Sequence, residues 1–386
     1  MSGPLSGLRV VEIAGIGPGP YACMLLADLG ADVVRVERPS AASDEPLDPT
    51  LRSRRSLVLD LKQAAGVEVL LRLVDHSDVL VEGFRPGVAE RLGFGPDVCC
   101  TRNVRLVYGR MTGWGQTGPL ARKAGHDINY LALSGLLHQI GPPSGKPVPP
   151  LNALGDLGGG GMLLAFGVVS ALYERERSGR GQVIDAAILD GAASFANVCL
   201  GLQARGRWRD APGANFLSGA AHFYDTYETR DGRWVAVGAI EPQFHALVLQ
   251  RLGLDATEFA AGVGFEGSRY DDLVDEIWPA LKRKLAAAIR TRTRDELQAL
   301  FEDTDACVTP VLDLREAAAH RHQRERGTYP RIDGRPQSAP APRFSRSRAD
   351  APSAPRAAGA DAEAVLAELG FDDGEVRSLR QSGVLG

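Results

Sequence analysis

Short runs rich in β-branched residues alternate with helical patterns through the first part of the chain, and no other feature restricts its fold as much. Residues 8–14 (Leu-Arg-Val-Val-Glu-Ile-Ala) read as a strand, followed by a glycine-proline turn, an apolar helix at about 20–29 and a second strand at 31–37. Further β-rich runs lie at 56–61, 77–82 and 104–111, with a helical pattern at 63–75 between the first two. Strands joined through helices predict a largely parallel sheet covered on both faces. The expected class is α/β, with a Rossmann-like large domain and a smaller α+β domain.

The second half changes texture. After Asp156 the pattern predicts a long helix to about Arg177, then a last strand at Gln182-Val-Ile-Asp-Ala and a helix beginning near Leu189. Gly158 to Tyr173 is apolar, but shorter than the ~20 residues a membrane span requires, so a buried helix is expected. Residues 205–220 are irregular. From His222 onward, strands at 222–229 and 233–238 flank Arg230-Asp231-Gly232, an Asp-Gly hairpin signal. Helical patterns follow at 242–252, 271–289 and 294–302. Residues 336–359 are crowded with Pro, Ala, Ser and Arg, and 360–382 regain helical periodicity with Gly370 as a stop. The expected division is a large domain over 1–190, a connector over 191–221, a small domain over 222–329 and a C-terminal segment, 330–386, returning to the large domain.

A length of 386 residues favours two domains. The balance of 44 basic and 48 acidic residues, net −4, has no long basic run and gives no reason to expect a nucleic-acid partner. Five cysteines, at 23, 99, 100, 199 and 307, show no Cys-x-x-Cys spacing. With no signal-like start, they suggest reduced thiols in the cytoplasm. The histidines at 76, 138, 222, 245, 320 and 322 form no metal-binding spacing, so no metal is expected.

The turn Gly15-Ile-Gly17-Pro-Gly19-Pro20, with Glu37 ending the next strand, comes near the dinucleotide fingerprint. Pro20 replaces its third glycine and Pro18 removes an amide donor, which argues against a nicotinamide cofactor. His126, in Ala-Gly-His-Asp-Ile-Asn-Tyr, and Asp156, in Gly-Asp-Leu-Gly-Gly-Gly-Gly, each stand where a loop becomes a helix. Singly, they read as a packed histidine and a helix cap; together they supply two proton-transfer groups. Glu241, in Ala-Ile-Glu-Pro-Gln, reads as a helix-start acid.

Asp78-Val-Leu-Val-Glu-Gly-Phe-Arg-Pro-Gly87, continuing to Arg91-Leu-Gly93, is the most specific segment. The chain resembles the family III coenzyme A transferase superfamily there, and within it is similar to the α-methylacyl-CoA racemases. Matching stretches include Tyr21 to Leu29, Val33 to Pro39, Arg55 to Lys62, Ala124 to Gly135, Gly179 to Ala186, Ala236 to Phe244 and Asp303 to Val311. The resemblance covers essentially the whole chain.

It implies an acyl-CoA substrate, no separate cofactor and an interlocked homodimer, with no membrane partner. The racemases carry His in the run matching Gly125 to Tyr130, whereas transferases use the aspartate matching Asp156 as a nucleophile. The implied catalytic set is His126 and Asp156 as opposed acid and base, Glu241 to orient His126, and the Asp127 backbone amide as donor to an enolate oxygen. The Asp127 side chain is expected to point elsewhere. Arg38, Lys62, Arg85 and Arg91 are singly ordinary solvated cations, but with the resemblance they join Leu59, Asp60, Leu61, Gly83, Phe84, Gly125 and Tyr130 as the CoA-binding set. The expected reaction is racemisation at C2 of a 2-methylacyl-CoA. The alternatives are CoA transfer through Asp156 and a non-catalytic acyl-CoA-binding protein.

Overall fold

The computed structural model describes residues 2–39, 47–143, 145–263 and 268–386. The chain forms two compact units, a larger one of Met1–Ser134, Leu151–Phe195 and Arg321–Gly386, and a smaller one of Gly135–Pro150 and Ala196–His320.

Six strands build the sheet of the larger unit: β1 (Arg9–Ile13), β2 (Asp32–Glu37), β3 (Arg54–Val58), β4 (Val79–Glu82), β5 (Val107–Thr112) and β6 (Val183–Ala187). Their order is β3-β2-β1-β4-β5-β6, and each neighbouring pair is parallel. Successive strand residues face opposite sides, which explains the unbroken valine runs. Val10, Val33, Val79 and Val107 pack with α1 (Pro18–Asp28) and with the long helix before β6. Val11, Val34, Leu80 and Tyr108 pack against α2 (Ala64–Asp75) and the C-terminal helix Ala362–Glu368. The α/β class with a parallel sheet is therefore as expected. Between β1 and β4 the strand order reverses, the place where such sheets open a crevice beyond their carboxyl ends. Short helices α3 (Val88–Leu92) and α4 (Pro96–Arg102) link β4 to β5, and α5 (Asp127–Leu133) follows β5.

The helix expected after Asp156 starts earlier and in a different form. Ala153–Met162 is π-helical and continues into α6 (Leu163–Ser178). Its glycines allow backbone contact with α7 (Ile188–Phe195): a Cβ on Gly191 would lie 1.9 Å from the Gly159 carbonyl oxygen. The expectation of a buried helix needs correction. Ala153–Ser178 is 26 residues, long and apolar enough to cross a membrane by length and composition, and only a third of its most apolar window is buried. Leu164, Val168, Ala171 and Leu172 face the core, while Met162, Phe166, Val169 and Tyr173 form an exposed apolar stripe at helical spacing.

The domain limits also differ from those expected. The C-terminal return begins at Arg321, and residues 135–150 belong to the smaller unit, where Gln139 accepts from Trp208 Nε1 at 3.0 Å and donates to Asp210 Oδ1 at 2.6 Å. The stretch 191–221 is not a bare connector. It contains the end of α7 and a helix at Asn197–Ala204. Its irregular part is organised by the fully buried Asn215, which donates to the Arg209 carbonyl and accepts from the Arg209 amide, both at 2.8 Å. A polar, glycine-rich loop reads as a linker because its order comes from side-chain hydrogen bonds such as those of Asn215, Trp208 and Arg209 rather than from a periodic apolar pattern.

In the smaller unit, Tyr224–Glu228, Trp234–Gly238 and Val308–Pro310 form an antiparallel sheet in that order. The Asp-Gly turn closes the first hairpin, with Gly232 left-handed at φ 72°. Helices Pro242–Leu252, Trp278–Ile289 and Arg294–Phe301 cover an apolar core that includes Val235, Val237, Leu249, Leu285 and Phe301.

Candidate active site

The loops beyond the carboxyl ends of β1, β4 and β5 bring several of the expected residues together. His126 occupies the cap position of α5, extended at φ −132°, and its backbone N–H donates to Asn129 Oδ1 at 3.0 Å. Tyr130, one turn on, donates through its hydroxyl to the Gly125 carbonyl and meets Trp114 edge-on at 4.7 Å between ring centroids. The backbone of His126 is thus held on both sides while its side chain stays exposed.

Asp156 lies in the π-helical segment, half-buried. Its carboxylate faces the first glycine turn, where a Cβ on Gly17 would lie 3.2 Å from Oδ2. Burial pushes the Asp156 carboxyl above the usual range, and the charge of Asp127 adds to this; a hydrogen bond from Asn152 and the proximity of His126 work the other way.

The expectation for Asp127 needs correction. Its side chain is buried and turned toward Asp156, whose backbone N–H donates to Asp127 Oδ1 at 2.7 Å. Buried carboxylates seek donors, and at the start of α5 this amide is the donor in reach. The approach requires a glycine opposite: a Cβ on Gly155 would stand 2.2 Å from Asp127 Oδ1.

Glu82 escaped the reading of the sequence. Buried at the end of β4, it accepts from the Phe84 backbone N–H at 2.6 Å and from Arg110 Nε at 3.1 Å, fixing the Gly83-Phe84-Arg85 turn. Burial pushes its carboxyl up to about 6. An acid ending an otherwise apolar strand was the available signal. Arg85 is exposed, and its charge reaches Tyr130, lowering a phenol pKa that burial and Asp156 raise.

Lys62 and Arg91 meet at a cavity of about 330 Å³ lined also by Leu61, Val67, Leu71 and Leu92. Arg38 is exposed just beyond β2. The backbone at Leu59 to Lys62 offers less than expected, since the amides of Leu59, Asp60 and Lys62 already donate to the Glu37 carbonyl, the Val384 carbonyl and Asp60 Oδ1. Leu59 itself is buried. Glu37 is not aimed at a ribose: its carboxylate accepts from Arg35 at 3.3 Å and from the Ser56 hydroxyl.

Glu241 belongs to the smaller unit, exposed at the cap position before Pro242–Leu252, where its charge helps raise the Cys307 thiol pKa after burial. Among the described residues, no group of three or more His, Cys, Asp or Glu is arranged to hold a metal ion.

Known proteins match this arrangement over its full length. A family model for CoA-transferase family III matches residues 5–362. Alpha-methylacyl-CoA racemases of Mus musculus and Homo sapiens are 46% identical over 385 residues and 44% identical over 384 residues, each alignment covering 99% of this chain and 97% of the relative. The crystal structure of a CAIB/BAIF family protein from Brucella suis superposes with a TM-score of 0.80 at 27% identity, over 96% of this chain and all of that one. The resemblance read from the Phe-Arg-Pro-Gly segment and the run around His126 therefore holds along the whole sequence, and the chain belongs to CoA-transferase family III.

Proposed function

We propose that this chain is an isomerase that interconverts (R)- and (S)-2-methylacyl-CoA thioesters by removing and returning the α-proton. The observation that carries the reading is that Asp127, next to His126 in the chain, accepts the Asp156 backbone N–H at 2.7 Å, with the Asp156 carboxyl beside it pushed up by burial. A carboxyl whose pKa is raised toward the working range gives and takes a proton more evenly, as a pair of acid/base groups serving both epimers requires. The racemases named above support the same choice.

The thioester carbonyl acidifies the α C–H, and removal of that proton places charge on the enolate oxygen. For the S substrate, neutral His126 takes the proton and protonated Asp156 supplies one from the other face; for the R substrate the roles reverse. The Asp127 backbone amide is the proposed donor to the enolate oxygen. Glu241 is proposed to fix the His126 tautomer. Lys62 and Arg91, with Arg38 and Arg85, are proposed to take the phosphates and adenosine of CoA, and no separate cofactor is required. The exposed stripe Met162, Phe166, Val169 and Tyr173 supports a homodimer, because a contiguous apolar face of this kind marks a contact surface. The five free cysteines fit a cytoplasmic location.

Exchange of the C2 proton for deuterium from solvent, followed from each epimer across a panel of acyl-CoA esters, tests the reaction and ranks the acyl groups. Replacing His126 with Ala should cost about 10²-fold or more; near-normal turnover would remove it from the mechanism. Thioester exchange between an acyl-CoA and a free acid, without C2 exchange, would instead identify a transferase.

A further inference from the structure

Two proton carriers on separate loops must keep a fixed separation across one carbon, and the described hydrogen bonds contain a direct tie between those loops. The Asp127 carboxylate follows His126 in sequence, and its Oδ1 accepts the Asp156 backbone N–H at 2.7 Å across 29 residues of chain. Asp127 is buried, the contact itself is part-buried, and Gly155 leaves the space it occupies. We propose that the Asp127 side chain is a positioning group, clamping the Asp156 backbone to the loop that carries His126 and so setting the distance between the two proton carriers. The inference rests on the reading of His126 and Asp156 as acid and base.

A hydrogen bond with one charged partner is among the stronger ones in proteins, and here the charged member is shielded from water. Its loss frees the π-helical segment to shift relative to α5, and small misplacements of reacting groups are costly. The same negative charge acts on the Asp156 carboxyl, where it reinforces the effect of burial. Tyr130, with its pKa raised by burial and in part by Asp127, and the side chains of His126 and Arg85 are the other titratable groups facing this cluster. Asn at 127 keeps an oxygen acceptor for the amide and removes the charge, Ala removes both, and Ala at 155 crowds the clamp from its far side.

The test uses the full chain, a 2-methylacyl-CoA ester and C2 deuterium exchange. Asp127→Ala should lower kcat about 10-fold or more, with KM within about threefold. Gly155→Ala should cause a comparable loss, and the double variant little more than either alone, because both break one contact. Asp127→Asn should keep more of kcat than Asp127→Ala while moving one limb of the pH profile to lower pH, since the Asp156 carboxyl then loses protons more readily. Losses that multiply in the double variant, or an Asp127→Asn enzyme with an unmoved profile, would overturn the proposal even if Asp127→Ala did not fold. His126→Ala and Asp156→Ala measured alongside separate the two levels: if both are inactive while the Asp127 variants behave normally, only the clamp fails. If either remains active, the acid/base reading itself fails.

Discussion

In the larger unit several ion pairs lie inside, whereas the smaller unit keeps most of its charges at the surface and buries a pair of imidazoles. Arg52 and Asp28 are paired at 2.5 Å with side chains 1% and 2% exposed, and Arg54 meets Glu12 at 2.7 Å at similar burial. Desolvating such pairs costs several kcal/mol per ion before attraction is counted, so they are poor devices for stability alone. Their placement is informative. Arg52 joins Asp28 in α1 to the Ser338 carbonyl, and Arg54 joins Glu12 in β1 to the Pro20 carbonyl, at the turn that faces Asp156. In the smaller unit, His222 and His245 approach Nε2 to Nε2 at 3.0 Å among Phe223 and Phe259, and burial pushes their pKa values down to about 3 and about 4. The Arg54 pair places fixed charge beside the first glycine turn, whereas the imidazole pair of the smaller unit packs among aromatic rings.

The largest effect expected is in the buried pairs. Arg52→Met should destabilise the larger unit by about 3–5 kcal/mol, because it leaves the Asp28 carboxylate buried without its partner. Adding Asp28→Leu should recover much of that loss. Hydrogen exchange resolved by unit would localise the effect, and a neutral single variant would erase the contrast between the two interiors.

Acid should then separate the units. The two imidazoles bind protons less readily in the folded state than in the unfolded chain, so the unfolded chain holds more protons between about pH 6.5 and the folded values. Stability of the smaller unit is therefore lost as pH falls through this window, by about 2.5 kcal/mol at pH 5.5 relative to neutrality. Glu82 has the opposite sign: its folded pKa of about 6 lies above the ordinary 4.5, so its ionised form is unfavourable above that value and the penalty disappears as pH falls toward 4.5. That contribution to the larger unit amounts to about 2 kcal/mol. Unit-resolved exchange at neutral pH and near pH 5.5 measures both, and His245→Leu should reduce the acid loss of the smaller unit. Equal acid sensitivity in the wild-type units and no change in the variant would contradict the assignment.

What the sequence made legible follows the same division. The helices Pro242–Leu252 and Arg294–Phe301 announce themselves through local chemistry, a proline at the first helical position and a Thr293–Glu296 capping box. The strands announce themselves through valine runs. His126, Asp156 and the cavity-lining Lys62 and Arg91 could be singled out as candidates because neighbouring residues carry the resemblance. The Asp127 clamp was not, since its partner lies 29 residues away and nothing beside Asp127 marks it. The π-helical form of Ala153–Met162 was also hidden, because a glycine run before an apolar helix has the same periodicity in either form and only the contact with Gly191 distinguishes them. Long-range polar contacts fix the site, and they leave little local trace.

The smallest effect belongs to the surface of the smaller unit. Lys284 and Glu258 are paired at 2.7 Å, but their side chains are 48% and 52% exposed. Water competes for both charges, and two flexible side chains lose entropy to hold the contact, so Lys284→Gln should change stability by less than about 1 kcal/mol. The residual effect should shrink further in 1 M salt, where exposed charges are screened over about 3 Å. A loss near that of Arg52→Met, insensitive to salt, would mean that the smaller unit also depends on fixed charge and that burial is not what distinguishes the two.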